Sequence, residues 1–305
     1  MDKFLVLGEA LTDCVIRGGV TTETPGGSPM NVAIGLGRLE NDVTMATRFG
    51  RDERGTALRD HLAASSVATI AQAGDAERTS SAQATIAEDG SADYVFDLRW
   101  DLTTEMIPAH GFTHVHAGSI GATLEPGGSA VEETLRRASE SGATVSYDPN
   151  ARPIIMGDPG DVLPRIEALI GLSTIVKASD EDCEWLYPGV SFAEVAGRWR
   201  DLGAALVIIT QGPDGVEAWF GDAHVVLPIV TTTVVDTIGA GDSFMAGLLH
   251  ALASQGQLGT GEGGALEGLT KATLIDALEF ALGCAAITVS RVGANPPRIT
   301  ELSGI

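Results

Sequence analysis

The sequence predicts an α/β fold, in which helices cover both faces of a central, mainly parallel sheet. Short apolar runs with the length of buried strands, such as Phe4–Leu7 and Leu206–Thr210, alternate with longer segments whose apolar residues recur at helical spacing. Glycine-rich turns separate the two kinds of segment. A few alternating polar strands stand apart from this order and predict a second, small sheet.

The size, charge and cysteine content narrow the class further. A chain of 305 residues of this type is expected to form one domain over residues 1–305. With 19 basic and 41 acidic residues the formal charge is −22, and no basic cluster interrupts it. The acidity argues against a nucleic-acid or anionic-membrane partner. The three cysteines are far apart, and no leader or long apolar run is present, so we expect a soluble cytoplasmic protein.

The chain in order begins with a buried strand, Phe4–Leu7, whose carboxyl end leads to Asp13. Open α/β sheets bind ligands at that edge, so Asp13 is a candidate site acid, although a capping role fits the same residue. Gly26 and Gly27 then precede a helix predicted from Met30 to Leu39, which carries Asn31. A carboxylate and an amide together bind vicinal hydroxyls as acceptor and donor.

The small sheet is predicted from three strands that stand apart from the main sheet. Thr79–Ile86 and Tyr94–Leu98 alternate in polarity and are joined by Glu88–Ser91, which contains the Asp-Gly signal of a tight hairpin. With Cys14–Thr22 they are expected to form a small antiparallel sheet. Arg99 and Trp100 follow its last strand. Arg99 could meet an anionic group and Trp100 could stack on the face of a sugar, or both could simply pack against the protein.

Two polar clusters follow in the middle of the chain. His114 and His116 alternate along a predicted strand and suit either a hydrolytic zinc or core hydrogen bonds. The strand Ala143–Tyr147 ends in Asp148-Pro149-Asn150-Ala151-Arg152. A planar guanidinium neutralises an anion in a dry cleft, so Arg152 is the candidate cation, with an ion pair to Asp148 as the alternative.

The second half of the chain repeats the strand and turn pattern. Ile175–Ala178 leads to Ser179-Asp180-Glu181-Asp182, and Leu206–Thr210 leads to the turn that contains Gly212 and Gly215. Taken in isolation, the second turn is best explained as an ordinary hairpin before Val216–Phe220. Thr273–Val289 is predicted as a long apolar helix, followed by the segment SRVGANPP.

The most informative stretch is Val234–Ala253, VVDTIGAGDSFMAGLLHALA, a glycine-rich loop that feeds a helix predicted over Ser243–Ala253. Gly239, Ala240 and Gly241 would leave consecutive backbone N–H groups at the positive end of the helix dipole. Asp242 follows at once. One interpretation is an anion hole beside a base for phosphoryl transfer to a hydroxyl, and the other is a capping acid on a core helix.

The stretch DTIGAGDSFMAGLL resembles the C-terminal signature of the ribokinase-like (PfkB) carbohydrate kinases. SYDPNAR and GGSPMN are similar to segments of their fructokinase and 2-keto-3-deoxygluconate kinase branch, and the matches run from Phe4 to Pro297. The resemblance implies a three-layer sandwich with a small β-sheet lid, formed by about 12–25 and 79–100. In the family such a lid covers the sugar and often forms an oligomer contact, so a homodimer through it is compatible with the resemblance.

The resemblance also implies a role for each matching residue. Catalysis falls to Asp242 as base, to the anion hole Gly239, Ala240 and Gly241, and to Arg152. The sugar would contact Asp13, Gly26, Gly27, Asn31, Arg99, Arg152 and Asp242. The nucleotide would contact Ser179, Thr210, Gly212, Gly215, Gly239, Gly241 and Asn295. Asp236, Ile238, Thr288, Arg291 and Gly293 would hold a monovalent cation such as K⁺, and Asp182 would influence Mg²⁺ through water. Ser179 and Asp182 depart from the family's usual Asn and Glu.

These residues predict an ATP- and Mg²⁺-dependent kinase that phosphorylates a primary hydroxyl of fructose or a related ketohexose. The alternatives are 2-keto-3-deoxygluconate, whose carboxylate Arg99 and Arg152 could pair with, and then ribose or a nucleoside. Two other classes stay open, namely a non-catalytic sugar sensor and a zinc hydrolase at His114 and His116. The expected partners are small molecules, the sugar and ATP.

Overall fold

The structure is a computed structural model that describes residues 2–71, 78–87, 92–108, 110–259 and 265–302. The predicted Glu88–Ser91 turn lies outside the described residues. The strands are β1 (Lys3–Leu7), β2 (Leu11–Arg17), β3 (Val20–Gly26), β4 (Asp42–Thr47), β5 (Val67–Ala71), β6 (Ser81–Ile86), β7 (Ala92–Asp97), β8 (His114–Gly118), β9 (Thr144–Asp148), β10 (Ile175–Ser179), β11 (Leu206–Thr210), β12 (Val216–Phe220) and β13 (Ala223–Leu227).

The helices connect these strands on both sides of the main sheet. They are α1 (Ser28–Arg38), α2 (Glu53–Ala63), α3 (Ser119–Thr123), α4 (Gly127–Glu140), α5 (Pro153–Met156), α6 (Pro159–Gly171), α7 (Asp180–Leu186), α8 (Phe192–Leu202), α9 (Ala240–Ser254) and α10 (Lys271–Val289). Short 3-10 turns lie at Thr104–Met106, Gly212–Asp214 and Ile299–Glu301.

The main sheet has nine strands in the order β13-β12-β11-β10-β9-β8-β1-β4-β5. Strands β5 to β11 along this order pair in parallel, and β12 and β13 add an antiparallel edge. Alternate residues of β1 enter opposite cores: Phe4 and Val6 pack beneath α1, α9 and α10, whereas Leu5 and Leu7 pack beneath α4 and α6. This three-layer arrangement confirms the predicted α/β fold class.

The small sheet has the strand order β3-β2-β6-β7, and here two predictions were wrong. Cys14–Thr22 is not one strand, because Gly18 and Gly19 adopt positive φ angles of 56° and 78° and turn the chain between β2 and β3. The sheet is mixed rather than antiparallel, since β2 pairs with β6 in parallel.

Helix α10 is the one described helix whose length and hydropathy would suit a membrane span. It instead packs along α9, and Leu274, Leu278 and Ala281 are fully buried in the core beneath the main sheet. The two helices approach closely at Gly247, where an added Cβ would lie 3.0 Å from the Cα of Ala281 and 2.9 Å from the Sγ of Cys284.

We expect Gly247→Ala to destabilise the protein by about 1–3 kcal/mol, because the added methyl group forces α9 and α10 apart. The matched control is Gly197→Ala in α8, where a Cβ meets nothing within 4 Å. Alanine loses less backbone entropy on folding than glycine, so this variant should be more stable than the parent by about 0.5–1 kcal/mol. Urea unfolding of both variants measures the difference, and a Gly247→Ala variant as stable as the parent would contradict the close packing.

Candidate active site at the carboxyl edge of the sheet

The candidate site lies where the parallel strands end. Glu9 and Asp13 follow β1, Asp148 ends β9, and Ser179 ends β10, so all reach the same edge of the sheet or the small sheet beside it. Parallel α/β sheets bind ligands at this edge because the loops and helix N-termini gather there. Contacts between α1 and α9 bring the start of α9 to the same place.

The loop before α9 exposes backbone N–H groups at the helix N-terminus, and one of the predicted groups is an exception. Gly239 adopts the left-handed conformation (φ 76°, ψ 6°) and ends the loop. Ala240 donates its N–H to the Thr237 carbonyl at 3.2 Å, so this group is not free as predicted. Within the described chain the N–H groups of Gly239, Gly241 and Asp242 have no acceptor, and they remain available to an anion at the helix N-terminus.

Two close contacts fix the shape of this loop. A Cβ at Gly239 would lie 2.6 Å from the Cβ of Ala294, so the C-terminal tail packs directly on the loop. Asn295, a predicted nucleotide ligand, accepts a hydrogen bond of 2.6 Å from Arg38 at the end of α1. Its side-chain oxygen therefore anchors the tail to α1.

Asp242 is buried in the first turn of α9 and is held by α1. Its Oδ1 accepts a hydrogen bond of 2.7 Å from the hydroxyl of Ser28, and its Oδ2 accepts one of 2.8 Å from the Nδ2 of Asn31. Only 8% of Asp242 is exposed. Sequence reasoning identified Asn31 as a sugar ligand and missed Ser28, whose only signal was its position after the Gly-Gly pair.

Asp13 lies on β2, and its side chain reaches Gly26 on the neighbouring strand β3. A Cβ at Gly26 would lie 2.0 Å from the Oδ2 of Asp13, and a Cβ at Gly27 would lie 2.5 Å from the carbonyl oxygen of Glu9. The absence of a side chain at Gly26 thus makes room for the Asp13 carboxylate, and that at Gly27 lets the chain pass close to the Glu9 backbone. Burial raises the pKa of Asp13 to about 6, and the charge of Arg152 opposes the rise.

Glu9 is a second buried acid at this end of β1, and the sequence analysis did not single it out. Its Oε2 accepts a hydrogen bond of 2.9 Å from the N–H of Gly121. Burial raises its pKa to about 7, against the hydrogen bonds from Gly121 and Ser119 and the charge of Arg152. Glu9 therefore lies next to the cleft with a proton that is easily lost near neutral pH.

The two predicted arginines are both exposed, and neither is seated in the anion hole. Arg152 precedes α5, and its Nη1 donates to the carbonyls of Asn150 and Ala151 and to Asn150 Oδ1. Its charge still acts on Glu9 and Asp13, which places it toward the Asp13 end of the cleft. The side chain of Arg99 is 61% exposed and lies 3.9 Å from Asp97.

The alternative roles considered for these segments were also tested. The suggested pair of Arg152 with Asp148 is wrong, because Asp148 bonds to Lys177 instead. Trp100 does not face a sugar, since it is buried and donates its Nε1–H to the carbonyl of Gly121 at 2.7 Å.

Lys177 is the main residue that sequence reasoning missed. It lies in β10 and only 4% of it is exposed. Its Nζ donates to Asp148 Oδ2 at 2.8 Å and lies 3.0 Å from the position of a Cβ at Gly241. The available signal was a lysine inside the apolar run TIVKAS, in a sequence with only three lysines. Burial opposes its charge, but Asp148, Asp182 and Asp242 together raise the pKa of Lys177.

The predicted nucleotide residues line the ends of β10 and β11. Ser179 is the N-cap of α7 and accepts the N–H of Asp182, and Asp182 in turn accepts N–H groups from Ser179 at 2.9 Å and Ala151 at 2.7 Å. The hydroxyl of Thr210 donates to the Ala178 carbonyl. Gly212 and Gly215 have positive φ angles in the turn that follows β11. The side chains of Ser179, Asp182 and Thr210 thus shape the loops through hydrogen bonds within the chain.

The predicted cation-site residues are brought together around Asp236. This carboxylate accepts the N–H of Ile238 at 3.0 Å and that of Gly293 at 2.8 Å, and these hydrogen bonds lower its pKa. The N–H of Arg291 bonds to the Thr288 carbonyl in the turn after α10. Asp236 thus joins the loop before α9 to the segment that follows α10.

His114 and His116 belong to the core rather than to a metal site. The two ring nitrogens of His114 lie 2.7 Å from the hydroxyls of Thr144 and Ser146, and Nδ1 of His116 lies 2.8 Å from Ser146. Both side chains are buried, which lowers their pKa values and keeps the rings neutral. Among the residues described, no group of three histidine, cysteine or acidic side chains could hold a metal ion. The zinc-hydrolase alternative therefore has no support in this fold.

Comparison with known proteins agrees with this geometry. Residues 2–301 match the model of the pfkB family of carbohydrate kinases. A fructokinase of Rhizobium leguminosarum bv. trifolii is 34% identical over 259 residues, which cover 81% of this chain and 79% of that protein.

Two solved structures share the fold over nearly their full length. The fructokinase of Xylella fastidiosa with bound ATP has a TM-score of 0.89 at 26% identity and covers 99% of this chain and 98% of that one. A double mutant of the fructokinase of Vibrio cholerae O395, solved with fructose, ADP and a potassium ion, has a TM-score of 0.82 at 26% identity and covers 99% and 95%.

The raised pKa of Glu9 predicts how stability depends on pH. Because the folded state holds this proton up to about pH 7 and the unfolded state only to its ordinary 4.5, stability falls as the pH rises between these values. We expect Glu9→Gln to remove this loss. Its free energy of unfolding should exceed that of the parent by up to about 3 kcal/mol at pH 8 and should equal it near pH 4.

Chemical unfolding at pH 4, 6 and 8 measures the effect. Glu194→Gln is the control of opposite sign, because hydrogen bonds from Ser191 lower the pKa of Glu194 and its removal should cost stability at pH 8. A gain for Glu9→Gln that is equal at every pH would contradict the assignment.

Proposed function

This chain belongs to the pfkB family of carbohydrate kinases, and from that premise we propose that it transfers the γ-phosphoryl group of ATP to a primary hydroxyl of fructose or a closely related ketohexose. The enzyme is a sugar kinase. The observation that carries the proposal is the buried Asp242 carboxylate, which follows free backbone N–H groups at the start of α9 and is held by two residues of α1.

In the proposed reaction Asp242 orients the attacking hydroxyl and accepts its proton. The oxygen of the sugar forms a bond to the γ-phosphorus, and the bond between that phosphorus and the bridging oxygen of ATP breaks, leaving its electron pair on ADP. A loose transition state gathers charge on the phosphoryl oxygens, and the N–H groups of Gly239 and Gly241 are placed to stabilise it. Ser28 and Asn31 position the base.

The sugar end of the site is proposed to be Asp13 with the glycine pair and Asn31. The close approach of Gly26 to Asp13 leaves the carboxylate beside the start of α1. An ionised carboxylate accepts two hydroxyl hydrogens, and Asn31 keeps its amide oxygen for a third. Such polar groups discriminate a sugar strongly from an apolar ligand.

We propose Mg²⁺ as the divalent metal and K⁺ as the monovalent cation. Lys177 is surrounded by Asp148, Asp182 and Asp242, so the region carries excess negative charge. This charge fits a Mg²⁺ ion that is held mainly by ATP, with Asp182 acting through water. K⁺ would be held by Asp236 and by carbonyls of Ile238, Thr288, Arg291 and Gly293, where it supports the loop of the anion hole. The segments SRVGANPP and Gly212–Gly215 are proposed to face the nucleotide.

A second substrate, 2-keto-3-deoxygluconate, is favoured by one observation. The charge of Arg152 acts on the Asp13 end of the cleft, so this end can accept an acidic sugar. Arg152 would then pair with the substrate carboxylate, with Arg99 as the second cation. A panel of fructose, 2-keto-3-deoxygluconate, ribose and nucleosides with ATP and Mg²⁺, read by ADP formation, decides between these substrates. A sugar sensor would bind without forming ADP.

We further propose a cytoplasmic enzyme that dimerises through the small sheet. Val15, Ala84 and Tyr94 form one row across β2, β6 and β7. Val15 and Tyr94 are 41% and 53% exposed, so this row offers an apolar face. A second copy of the same sheet would cover it, and the lid strand that carries Asp13 would then be fixed by the contact.

The central test is Asp242→Asn. Because the amide cannot accept the proton, we expect kcat to fall by about 10²–10⁴-fold, while calorimetry shows sugar binding within about threefold of the parent. Asp276→Asn, an exposed acid on α10, is the control and should keep full activity. Near-normal turnover in Asp242→Asn would refute the assigned base.

The pKa of Asp13 predicts the pH dependence of sugar binding. Below about pH 6 the carboxyl is protonated and loses an acceptor, so KM for the sugar should rise as the pH falls from 7 to 5. Asp13→Asn should bind weakly at every pH and show a flat profile. Glu9→Gln should keep the rise in KM at low pH, which distinguishes the effect of Asp13 from that of Glu9. A rise in KM that persists in Asp13→Asn would contradict the role of Asp13.

A further inference from the structure

One charged side chain, the buried Lys177, lies beside the proposed anion hole. Lys177 reaches the start of α9 from beneath, and its Nζ lies 3.0 Å from where a Cβ of Gly241 would stand. In a helix the Cα–Cβ bonds tilt toward the N-terminus, so this position is on the same side as the free N–H groups of the first turn. The ammonium group and the N–H of Gly241 therefore adjoin the same space.

The hydrogen bonds of this ammonium group are incomplete. An ammonium has three N–H donors, and Asp148 is the only acceptor that the described residues offer it, at 2.8 Å. The lysine is 4% exposed, so bulk water gives little compensation. A buried charge of this kind is costly unless its remaining donors find partners.

Register and packing fix the direction of the side chain. Val176 pairs with Tyr147, so Lys177 lies beside Asp148 at the carboxyl end of β9. Ile175, two residues earlier on the same face, packs in the core beneath α9. The lysine thus stands between the sheet and the N-terminus of α9, with Asp148 as its brace.

We propose that Lys177 is a catalytic residue of this kinase, which contacts the transferred phosphoryl group together with the N–H of Gly241, while Asp148 positions it. The assignment rests on the proposed phosphoryl transfer. Lys177 stays protonated throughout: the hydroxyl proton goes to Asp242, and the ammonium only balances the charge that develops on the phosphoryl oxygens. Gly241 is required because a side chain there would displace the ammonium.

The proposal separates Lys177 from a purely structural counter-ion of Asp148. Lys177→Met should lower kcat by about 10²–10³-fold, as loss of one transition-state donor does, with KM for the sugar within about threefold. The double variant Lys177→Met/Asp148→Asn removes both charges and keeps the core neutral. If Lys177 serves only Asp148, the double variant regains kcat; we expect it to stay as slow as Lys177→Met.

Two further variants test whether a charge at position 177 is enough and whether net charge alone matters. Lys177→Arg keeps the charge and should recover part of kcat. Lys271→Met removes an exposed lysine at the start of α10 and should change nothing, which controls for net charge. Turnover by the parent tests the proposed function itself: an inactive parent overturns that function, whereas an active parent with an equally active double variant overturns only the role of Lys177.

A measurement on the parent protein covers the case in which the variants do not fold. The chain has only Lys3, Lys177 and Lys271, so ¹⁵N-labelled lysine side chains give a spectrum of three signals, and Lys271→Met assigns one of them. Adding ADP, Mg²⁺, aluminium fluoride and fructose should shift the Nζ signal of Lys177 alone. An unmoved signal, with binding established by calorimetry, would overturn the contact.

Discussion

The carboxylate of Asp242 accepts hydrogen bonds from Ser28 and Asn31, residues that are 214 and 211 positions away in the sequence, and the rest of the site depends on this junction. It requires α1 and α9 to lie almost in backbone contact. Gly35 permits this, since a Cβ there would come within 2.6 Å of the Cβ of Ala246. The same approach brings the glycine pair before α1 close to the free N–H groups at the start of α9, which are the proposed sugar and phosphate ends of the site. A buried carboxylate with both oxygens bonded is also held in one orientation, which a positioned base needs.

Charge is the second constraint. The chain carries a formal charge of −22, yet its chemistry requires it to gather phosphate groups. The conflict is resolved locally: free N–H groups at the start of α9 and one buried ammonium face the space where an anion would bind. Lys177 is available for this because Asp148 holds it, and Asp148 can do so because adjacent parallel strands place the two side chains in register. Distant surface charge is screened by salt and acts weakly on such a site.

Local sequence predicted much of this protein and failed where partners come from other strands. The apolar runs of β1, β10 and β11, the helix after the glycine-rich loop and the turn at Gly26 and Gly27 all follow from periodicity and glycine placement. The hairpin at Gly18 was missed because its strands are too polar to show alternation. Lys177 was missed, and the suggested pair of Arg152 with Asp148 was wrong, for one reason: which side chain meets Asp148 is set by the register between β9 and β10, and register has no local signal.

The sheet order has a consequence for biosynthesis. The interior strand β1 is made first, but α9, which carries Asp242, belongs to the last quarter of the chain. Domains generally fold as units during synthesis. Asp242 can therefore meet Ser28 and Asn31 only after nearly the whole chain has left the ribosome, because the junction joins the two ends of the polypeptide.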